Sequence, residues 1–278
     1  MTLPNFLNIG TMKGGTTSLF RYLDAHPDVY MPSAKELHYF VAERNWGRGL
    51  AWYEDQFRDA GGRPAVGEAS PSYTNHPQWQ GVPERIKSVL GDVRLIYVLR
   101  DPLERMKSHY RHEVIMGREH QAPDAALRTD TPYFHRSCYA LQLERYLEHF
   151  ERDRILLVTS EDLKSKRDET VAKVLGFLDL EPIVAPRATA GEFHRSSDKG
   201  RRSNTLRSLA KLPAYERISR AVPEGVKSRL RGLGYRRVEV GDVELAPHKE
   251  HELREALAPD VAKLRGYMPA DFTGWGFP

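Results

Sequence analysis

Short apolar runs and segments with helical periodicity alternate along the first two thirds of the chain. The apolar runs lie at residues 6–10, 65–68, 94–99 and 155–159. Each is short enough to be a buried strand. Between them, apolar residues recur every three or four positions, as in Leu19, Tyr22 and Leu23. Strands that alternate with helices predict a mostly parallel central sheet flanked by helices, so we expect an α/β fold.

The second half of this pattern predicts further helices and one long loop. Pro102 stands where the first turn of a helix would begin, and that helix is expected to reach residue 118. Residues 119–137 are polar and contain two prolines, which is typical of a long functional loop. Later helices are expected around residues 139–150, 171–178 and 253–264, and residues 191–204 are expected to form a basic loop. No linker stands out, so we predict one domain over 1–278, with a core at about 5–202 and a helical part at about 203–278.

Composition narrows the class of protein. The 278 residues are 40% hydrophobic, and no apolar run is long enough to span a membrane. No signal peptide is visible at the first residues, and Cys138 is the only cysteine, so we expect a cytoplasmic protein without disulfides. The formal net charge of +4 favours anionic ligands without specifying which.

The junction between the first strand and the first helix carries the strongest chemical signal. There the chain reads Lys13, Gly14, Gly15, Thr16, Thr17, Ser18. Glycines allow a tight turn, the helix start offers free N–H groups, the hydroxyls donate hydrogen bonds, and the lysine adds a positive charge. This combination predicts a phosphate-binding loop.

The spacing differs from that of the nucleoside-triphosphate P-loop. Gly10 and Gly15 match the glycines of that motif, but Thr16 occupies the position of its lysine. The lysine is Lys13, before the glycines. A loop without a lysine to span the β- and γ-phosphates suits a nucleotide with a shorter phosphate chain.

A second anion site is predicted where the strand at 94–99 ends. Arg100 follows that strand, at the edge of the sheet where open α/β folds bind ligands, and Ser108 lies eight residues further on. An arginine fork with a hydroxyl is a good receptor for a phosphate dianion. Asp101 could bind magnesium as in a kinase, but its neighbour Arg100 argues against a metal, and we interpret Asp101 as a helix cap.

These segments resemble the two nucleotide-binding elements of sulfotransferases. The Lys-Gly-Gly-Thr-Thr loop is similar to the branch that contains the heparan sulfate sulfotransferases and many bacterial relatives. The residues at 35–40 (Lys-Glu-Leu-His-Tyr-Phe), at 139–147 and at 199–201 (Lys-Gly-Arg) resemble further motifs of that branch, in the expected order. The resemblance extends to about Arg202, and the part of the chain beyond it matches no motif of the branch.

The resemblance implies a P-loop-like sulfotransferase fold, the donor 3′-phosphoadenosine-5′-phosphosulfate (PAPS) and the product PAP. It implies that residues 13–18 hold the 5′-phosphosulfate and that Arg100 and Ser108 hold the 3′-phosphate. It further implies that Lys199, Gly200 and Arg201 close over the nucleotide, and that Glu36 is the catalytic base.

Sulfuryl transfer is an in-line displacement that needs a base for the acceptor and charge stabilisation at the leaving oxygen. Lys13 is the expected partner of the leaving oxygen, and His38 would orient Glu36 or contact the sulfuryl oxygens. Burial would have to raise the pKa of Glu36 for efficient proton removal. No metal is expected, since His109 and His112 lack a third ligand and are interpreted as a surface pair.

Two alternatives remain at this stage. One is an ATP-dependent small-molecule kinase with a degenerate phosphate loop. The other is a non-catalytic protein that binds acidic glycans or nucleic acid through the basic residues 195–237. For an enzyme we expect a small-molecule, glycan or glycolipid acceptor and no nucleic acid. An aromatic wall for the acceptor is predicted from Trp46, Trp52, Tyr53, Trp79, Tyr133 and Phe134. The oligomeric state is not predictable.

Overall fold

A five-stranded sheet in which all neighbouring strands are parallel forms the centre of the computed structural model, which describes residues 2–183 and 241–278 and the backbone at 201–202 and 235–236. The strands are β1 (Phe6–Gly10), β2 (Val29–Tyr30), β3 (Ala65–Ala69), β4 (Arg94–Leu99) and β5 (Ile155–Thr159). Their order across the sheet is β2-β3-β1-β4-β5. The predicted α/β fold is confirmed, and β2 is a strand that the sequence did not indicate. The strands β6 (Arg201–Arg202) and β7 (Tyr235–Arg236) form a separate antiparallel pair.

Helices cover both faces of the sheet. They are α1 (Thr16–Asp24), α2 (Leu50–Asp55), α3 (Val82–Leu90), α4 (Pro102–Ile115), α5 (Pro123–Ala126), α6 (Pro132–His135), α7 (Tyr139–Leu147), α8 (Ser160–Ser165), α9 (Arg167–Phe177) and α10 (Pro247–Arg265). The predicted loop at 119–137 contains two single helical turns, α5 and α6, and each begins at one of its prolines because proline suits the first helical position. Within the described ranges, no helix is at once long and apolar enough to cross a bilayer.

The sheet is apolar on both faces, as a covered parallel sheet must be. All five residues of β1 are buried. One cluster of buried side chains includes Leu7 and Ile9, and another includes Phe6 and Val98. Because β1 lies between β3 and β4, its carboxyl end is flanked by the carboxyl ends of strands from both halves of the sheet. This is the switch point at which open α/β sheets bind ligands.

The C-terminal helix α10 completes the fold on the side of α4 and α7. Its residues Leu253, Leu257, Val261 and Leu264 are fully buried. On the same helix, the Asp260 carboxylate accepts the backbone N–H groups of residues 140 and 141 at 3.0 and 2.9 Å, so it caps the start of α7. The C-terminal part, which matched no motif, therefore supports the start of α7.

The Asp260 carboxyl should make the stability of the protein depend on pH. Burial raises the pKa of this carboxyl to about 6, above its usual value of 3.8. The folded state therefore holds a proton that the unfolded state releases, and the free energy of unfolding should fall as the pH rises from about 4 to 6. Asparagine keeps one of the two accepting oxygens and does not titrate, so Asp260→Asn should lower stability overall but flatten this slope. Urea unfolding at several pH values measures it, and an unchanged slope in the variant would contradict the assignment.

Candidate active site

A cleft of about 1800 Å³ opens at the carboxyl edge of the sheet. Among the described residues that line it, ten are lysine or arginine and five are aspartate or glutamate. A concave surface with this excess of positive charge attracts anions. The lining includes most of the site residues predicted from sequence: Lys13, Gly15, Thr16, Thr17, Ser18, Glu36, His38, Arg100 and Ser108.

The loop between β1 and α1 forms the floor of the cleft. It is tied to the neighbouring strand β4, because the Thr11 N–H donates to the Val98 carbonyl at 2.7 Å. Helix α1 then begins at Thr16 with no side chain capping it. The N–H groups of a first helical turn have no carbonyl partner within the helix, so those of Thr16 and Thr17 are available to an anion in the cleft.

The two glycines of this loop are required for different reasons. Gly15 has a φ of 97°, a left-handed conformation that favours glycine. At Gly14, a Cβ atom would lie 2.6 Å from a methyl carbon of Thr11 and 2.9 Å from the Val98 carbonyl oxygen. Gly14 does not line the cleft. Its role in the fold is to let the loop lie directly against β4, which sets the position of the residues after it.

Arg100 connects the end of β4 to this loop. Its Nη1 atom donates to the Lys13 carbonyl at 3.4 Å, and its Nη2 atom lies 3.7 Å from the Glu104 carboxylate. Ser108 lies on α4, which Asp101 caps by accepting the Glu104 N–H at 2.9 Å. The interpretation of Asp101 as a helix cap is therefore confirmed. Arg100 and Ser108 both face the cleft beside the loop, as a site for a second phosphate would require.

The predicted base, Glu36, also lines the cleft and belongs to the segment that follows β2. Glu36 and His38 have φ values of 64° and 50°. Left-handed backbone at residues other than glycine costs of order 1–3 kcal/mol each and is found preferentially at functional sites. The Glu36 side chain is 43% exposed, so the described residues do not bury it as the sequence analysis required of a base.

His38 connects Glu36 to Ser72, which follows strand β3. Its Nε2 atom lies 3.7 Å from the Glu36 carboxylate, and its Nδ1 atom lies 2.6 Å from the Ser72 hydroxyl. Burial, with the nearby Arg44 charge, lowers the pKa of His38 below its usual value. A neutral ring can direct its Nε2–H to Glu36 and accept from Ser72 at Nδ1. His38 is thus placed to orient the carboxylate.

A buried glutamate that the sequence analysis missed supports this segment. Glu68 lies on β3 and is fully buried. One carboxylate oxygen accepts the hydroxyls of Tyr53 at 2.9 Å and Tyr73 at 2.6 Å, and the other accepts the Ser70 hydroxyl at 2.8 Å. Burial raises the pKa of Glu68, and these hydrogen bonds oppose that rise. The available signal was a single carboxylate inside an otherwise apolar strand.

The hydrogen bonds around Glu68 extend to the backbone N–H groups of Leu37 and His38. The Leu37 N–H bonds to the Glu68 carboxylate, and the His38 N–H donates to the Ser70 hydroxyl oxygen at 3.0 Å. These bonds hold the two left-handed residues in place. The direction in which Glu36 points is therefore set by a buried carboxylate on the neighbouring strand.

Lys35 is a second functional candidate that the sequence analysis did not single out. Its Nζ atom lies 2.6 Å from the Thr17 hydroxyl and 3.3 Å from the Glu36 carboxylate. It therefore joins the predicted phosphate-binding loop to the predicted base. Its position inside the Lys-Glu-Leu-His motif was the available signal.

Several predictions about the surroundings need correction. Of the proposed aromatic wall, only Trp79 and Tyr133 line the cleft, while Tyr53 is fully buried in the core. Trp46, Trp52 and Phe134 pack against hydrophobic clusters instead. His109 is not a surface residue, because α4 turns it inward and leaves it 3% exposed.

Part of the predicted site lies outside the described residues. This applies to Lys199 and Gly200 and to most of the expected loop at 191–204, while Arg201 is described only as backbone in β6. Across the ranges that the structure does describe, no group of three or more His, Cys, Asp or Glu side chains could hold a metal ion.

Comparison with known proteins agrees with this geometry. Residues 3–213 match the family model of the sulfotransferase domain. A segment of 126 residues is 36% identical to the membrane-associated sulfotransferase kil1 of Dictyostelium discoideum and covers 44% of this chain and 26% of that protein. Heparan sulfate glucosamine 3-O-sulfotransferase 3B1 of Homo sapiens is 32% identical over 213 residues, which cover 71% of this chain and 50% of the relative. The chain thus spans about half or less of these relatives.

Two solved structures share the fold. A sulfotransferase from Alicyclobacillus acidocaldarius superposes with a TM-score of 0.71 at 24% identity, covering 99% of both chains. The mouse sulfotransferase SULT7A1, solved in complex with PAP, has a TM-score of 0.51 at 15% identity and covers 94% of this chain and 84% of its own. Because the family model matches about three quarters of the sequence, the chain belongs to the sulfotransferase domain family.

Proposed function

We propose that the protein transfers the sulfuryl group of PAPS to a hydroxyl of a sugar-type acceptor. The observation that carries this proposal is the meeting, in one cationic cleft, of the Lys13–Ser18 loop, the Arg100–Ser108 pair and the Glu36–His38 segment. The loop is suited to bind the phosphosulfate, the Arg100–Ser108 pair is suited to bind the ribose phosphate, and Glu36 can accept the acceptor proton. The relative that acts on heparan sulfate glucosamine and the neighbour solved with PAP support the choice of acceptor and donor.

The residues suggest how the reaction proceeds. The acceptor oxygen forms a bond to sulfur while the bond from sulfur to the phosphate oxygen breaks, and the acceptor proton passes to the Glu36 carboxylate. The N–H groups at the start of α1 and the Lys13 side chain stabilise the negative charge that grows on the leaving phosphate. His38 holds the Glu36 carboxylate toward the cleft through its Nε2 atom, 3.7 Å away.

The two alternative functions have no support. A kinase would need a metal-binding carboxylate after β4, but the Asp101 side chain caps α4. A protein that only binds glycans would not need an uncapped helix start beside a glutamate in left-handed backbone.

Nucleotide selectivity is the direct test of the donor. We expect PAP to bind at least tenfold more tightly than AMP or ATP, because the Arg100 guanidinium forms charge-assisted hydrogen bonds with the 3′-phosphate. Arg100→Gln should remove most of this difference while the affinity for AMP changes little. Isothermal titration calorimetry measures all three affinities. Equal affinities for PAP and AMP in the wild-type protein would contradict the proposal.

Metal dependence separates the proposed reaction from phosphoryl transfer. The sulfuryl group carries one negative charge, which lysine and backbone N–H groups can stabilise without a cation. We expect EDTA to leave turnover unchanged when radiolabelled PAPS is incubated with a panel of sugar acceptors. A loss of activity that magnesium restores would argue for a metal-dependent transferase.

A further inference from the structure

Two arginines in the cleft have no role in the reaction described so far. Arg44 and Arg136 both line the cleft near Trp79, with guanidinium carbons 4.8 and 5.8 Å from the centre of its ring. They belong to different parts of the chain, and the fold brings both to one indole. Two like charges held this close repel each other unless an anion joins them.

The hydrogen bonds that Arg136 forms within the described residues are all to neutral groups. Its Nη1 atom lies 3.4 Å from the Met12 sulfur and 3.4 Å from His109 Nε2, and its Nη2 atom donates to the Gln78 side-chain oxygen. Its Nε atom is buried without a hydrogen-bond partner. Burial, together with the nearby Arg105 charge, lowers the pKa of Arg136 to about 10, and the Glu113 carboxylate only partly opposes this. An unsatisfied guanidinium in this setting favours a bound anion.

The contact with His109 does not supply enough hydrogen-bond acceptors for the two arginines beside it. Burial holds the pKa of His109 well below its usual value, so the ring is neutral and has one accepting nitrogen. Arg105 lies 3.5 Å from Nδ1 and Arg136 lies 3.4 Å from Nε2, and both guanidiniums can only donate. A single accepting nitrogen can satisfy only one of the two guanidiniums, so one of these arginines faces a ring N–H.

Neither Arg44 nor Arg136 has a carboxylate within 4 Å in the part of the chain that the structure describes. By contrast, Arg118 in the same cleft is paired with Glu113, and Arg111 with Asp242. Arg44 also lies near enough to His38 for its charge to lower the pKa of that ring. The positive charge of Arg44 therefore lies close to the Glu36–His38 segment, and Arg136 lines the same cleft.

We propose that Arg136 and Arg44, which both lie near the Trp79 ring, bind the carboxylate of an acidic acceptor sugar and so select the acceptor and orient its hydroxyl. The planar guanidinium fork matches a carboxylate in shape and charge. This inference rests on the proposed function and deepens it, since it names the chemical class of the acceptor.

The test compares two probes that differ in one group. p-Nitrophenyl β-D-glucuronide carries a carboxylate where p-nitrophenyl β-D-glucoside carries a hydroxymethyl group. We expect the PAP-loaded protein to bind the glucuronide about tenfold more tightly, the effect of a charge-assisted hydrogen bond. The double substitution Arg44→Gln with Arg136→Gln should reduce this ratio to about one without weakening PAP binding. Ligand-observed NMR titration gives both dissociation constants.

An arginine outside the cleft provides a matched control for the double substitution. Arg48→Gln removes another arginine that stacks on a tryptophan, 4.2 Å from the Trp52 ring, but Arg48 does not line the cleft, so the ratio should persist. If the double variant does not fold, Arg44→Gln alone suffices, because Arg44 is exposed, and it should lower the ratio at least threefold.

Two outcomes overturn the inference. The first is a wild-type protein that binds both probes equally. The second is a double variant that keeps its preference for the glucuronide or loses affinity for the donor, which would assign the arginines to the sulfonucleotide. The same titrations without PAP measure the carboxylate preference even in a protein that binds no nucleotide, so a failure of the proposed function is distinguishable from a failure of this inference.

Discussion

Replacing Glu36 with glutamine should lower the rate of sulfate transfer about 100-fold, the usual effect of removing a general base. The amide has nearly the same shape as the carboxylate but cannot take the acceptor proton. The fold should be unaffected, because the Glu36 side chain is 43% exposed and its contacts are with Lys35 and His38. Turnover with radiolabelled donor, and PAP affinity by calorimetry, measure the two expectations separately.

A matched control for this variant is Glu43→Gln, which changes an exposed glutamate that does not line the cleft. It should keep full activity. If Glu36→Gln turns over at the wild-type rate, Glu36 is not the base. If it instead loses affinity for PAP, its role is in holding the nucleotide.

Replacing Glu68 with glutamine should reduce turnover at least tenfold, although this residue does not line the cleft. The carboxylate accepts hydrogen bonds from Tyr53, Tyr73, Ser70 and the Leu37 N–H. An amide NH₂ in that position must face at least one of these donors, which costs about 1–3 kcal/mol for the unsatisfied group. The segment with Glu36 then loses part of the support for its left-handed backbone.

Three measurements distinguish positioning from a general loss of stability. The affinity for PAP should be retained, since the residues that would hold the nucleotide lie on other loops. The loss in kcat should persist at temperatures well below the unfolding transition. In a double-mutant cycle, Glu68→Gln should have little further effect once Glu36 is already glutamine, because the group that it orients is no longer active. Additive losses would show that Glu68 acts only on stability.

Much of the architecture follows from local sequence patterns. Short, mainly apolar runs of four to six residues predicted four of the five strands of the sheet, because a strand covered on both faces is mostly apolar. The loop at 13–18 was also predictable, since its glycines, hydroxyls and lysine stand together between a strand and a helix. Pro102 and Asp101 marked the start of α4 for equally local reasons.

The elements that were missed depend on distant partners. Strand β2 has only two residues and exists because it pairs with β3. Glu68 could be noticed as an isolated charge in an apolar strand, but its role depends on two tyrosines and on the backbone of a segment about 30 residues earlier. His109 was assigned to the surface because no third metal ligand was apparent, whereas the fold packs its ring against Tyr133 of α6.

The sequence by itself determined the parallel sheet, the anion-binding loop at its first turn and the types of residue available for sulfuryl transfer, because each of these is encoded within a few neighbouring residues. Only the tertiary structure decided which of these residues lie close together in the cleft. The strand order β2-β3-β1-β4-β5 places the Glu36 segment and Arg100 on opposite sides of the Lys13 loop, and it also brings Arg44 and Arg136 to one tryptophan. The physical reason is that strand order is set by the burial of both sheet faces together, which no local stretch of residues specifies.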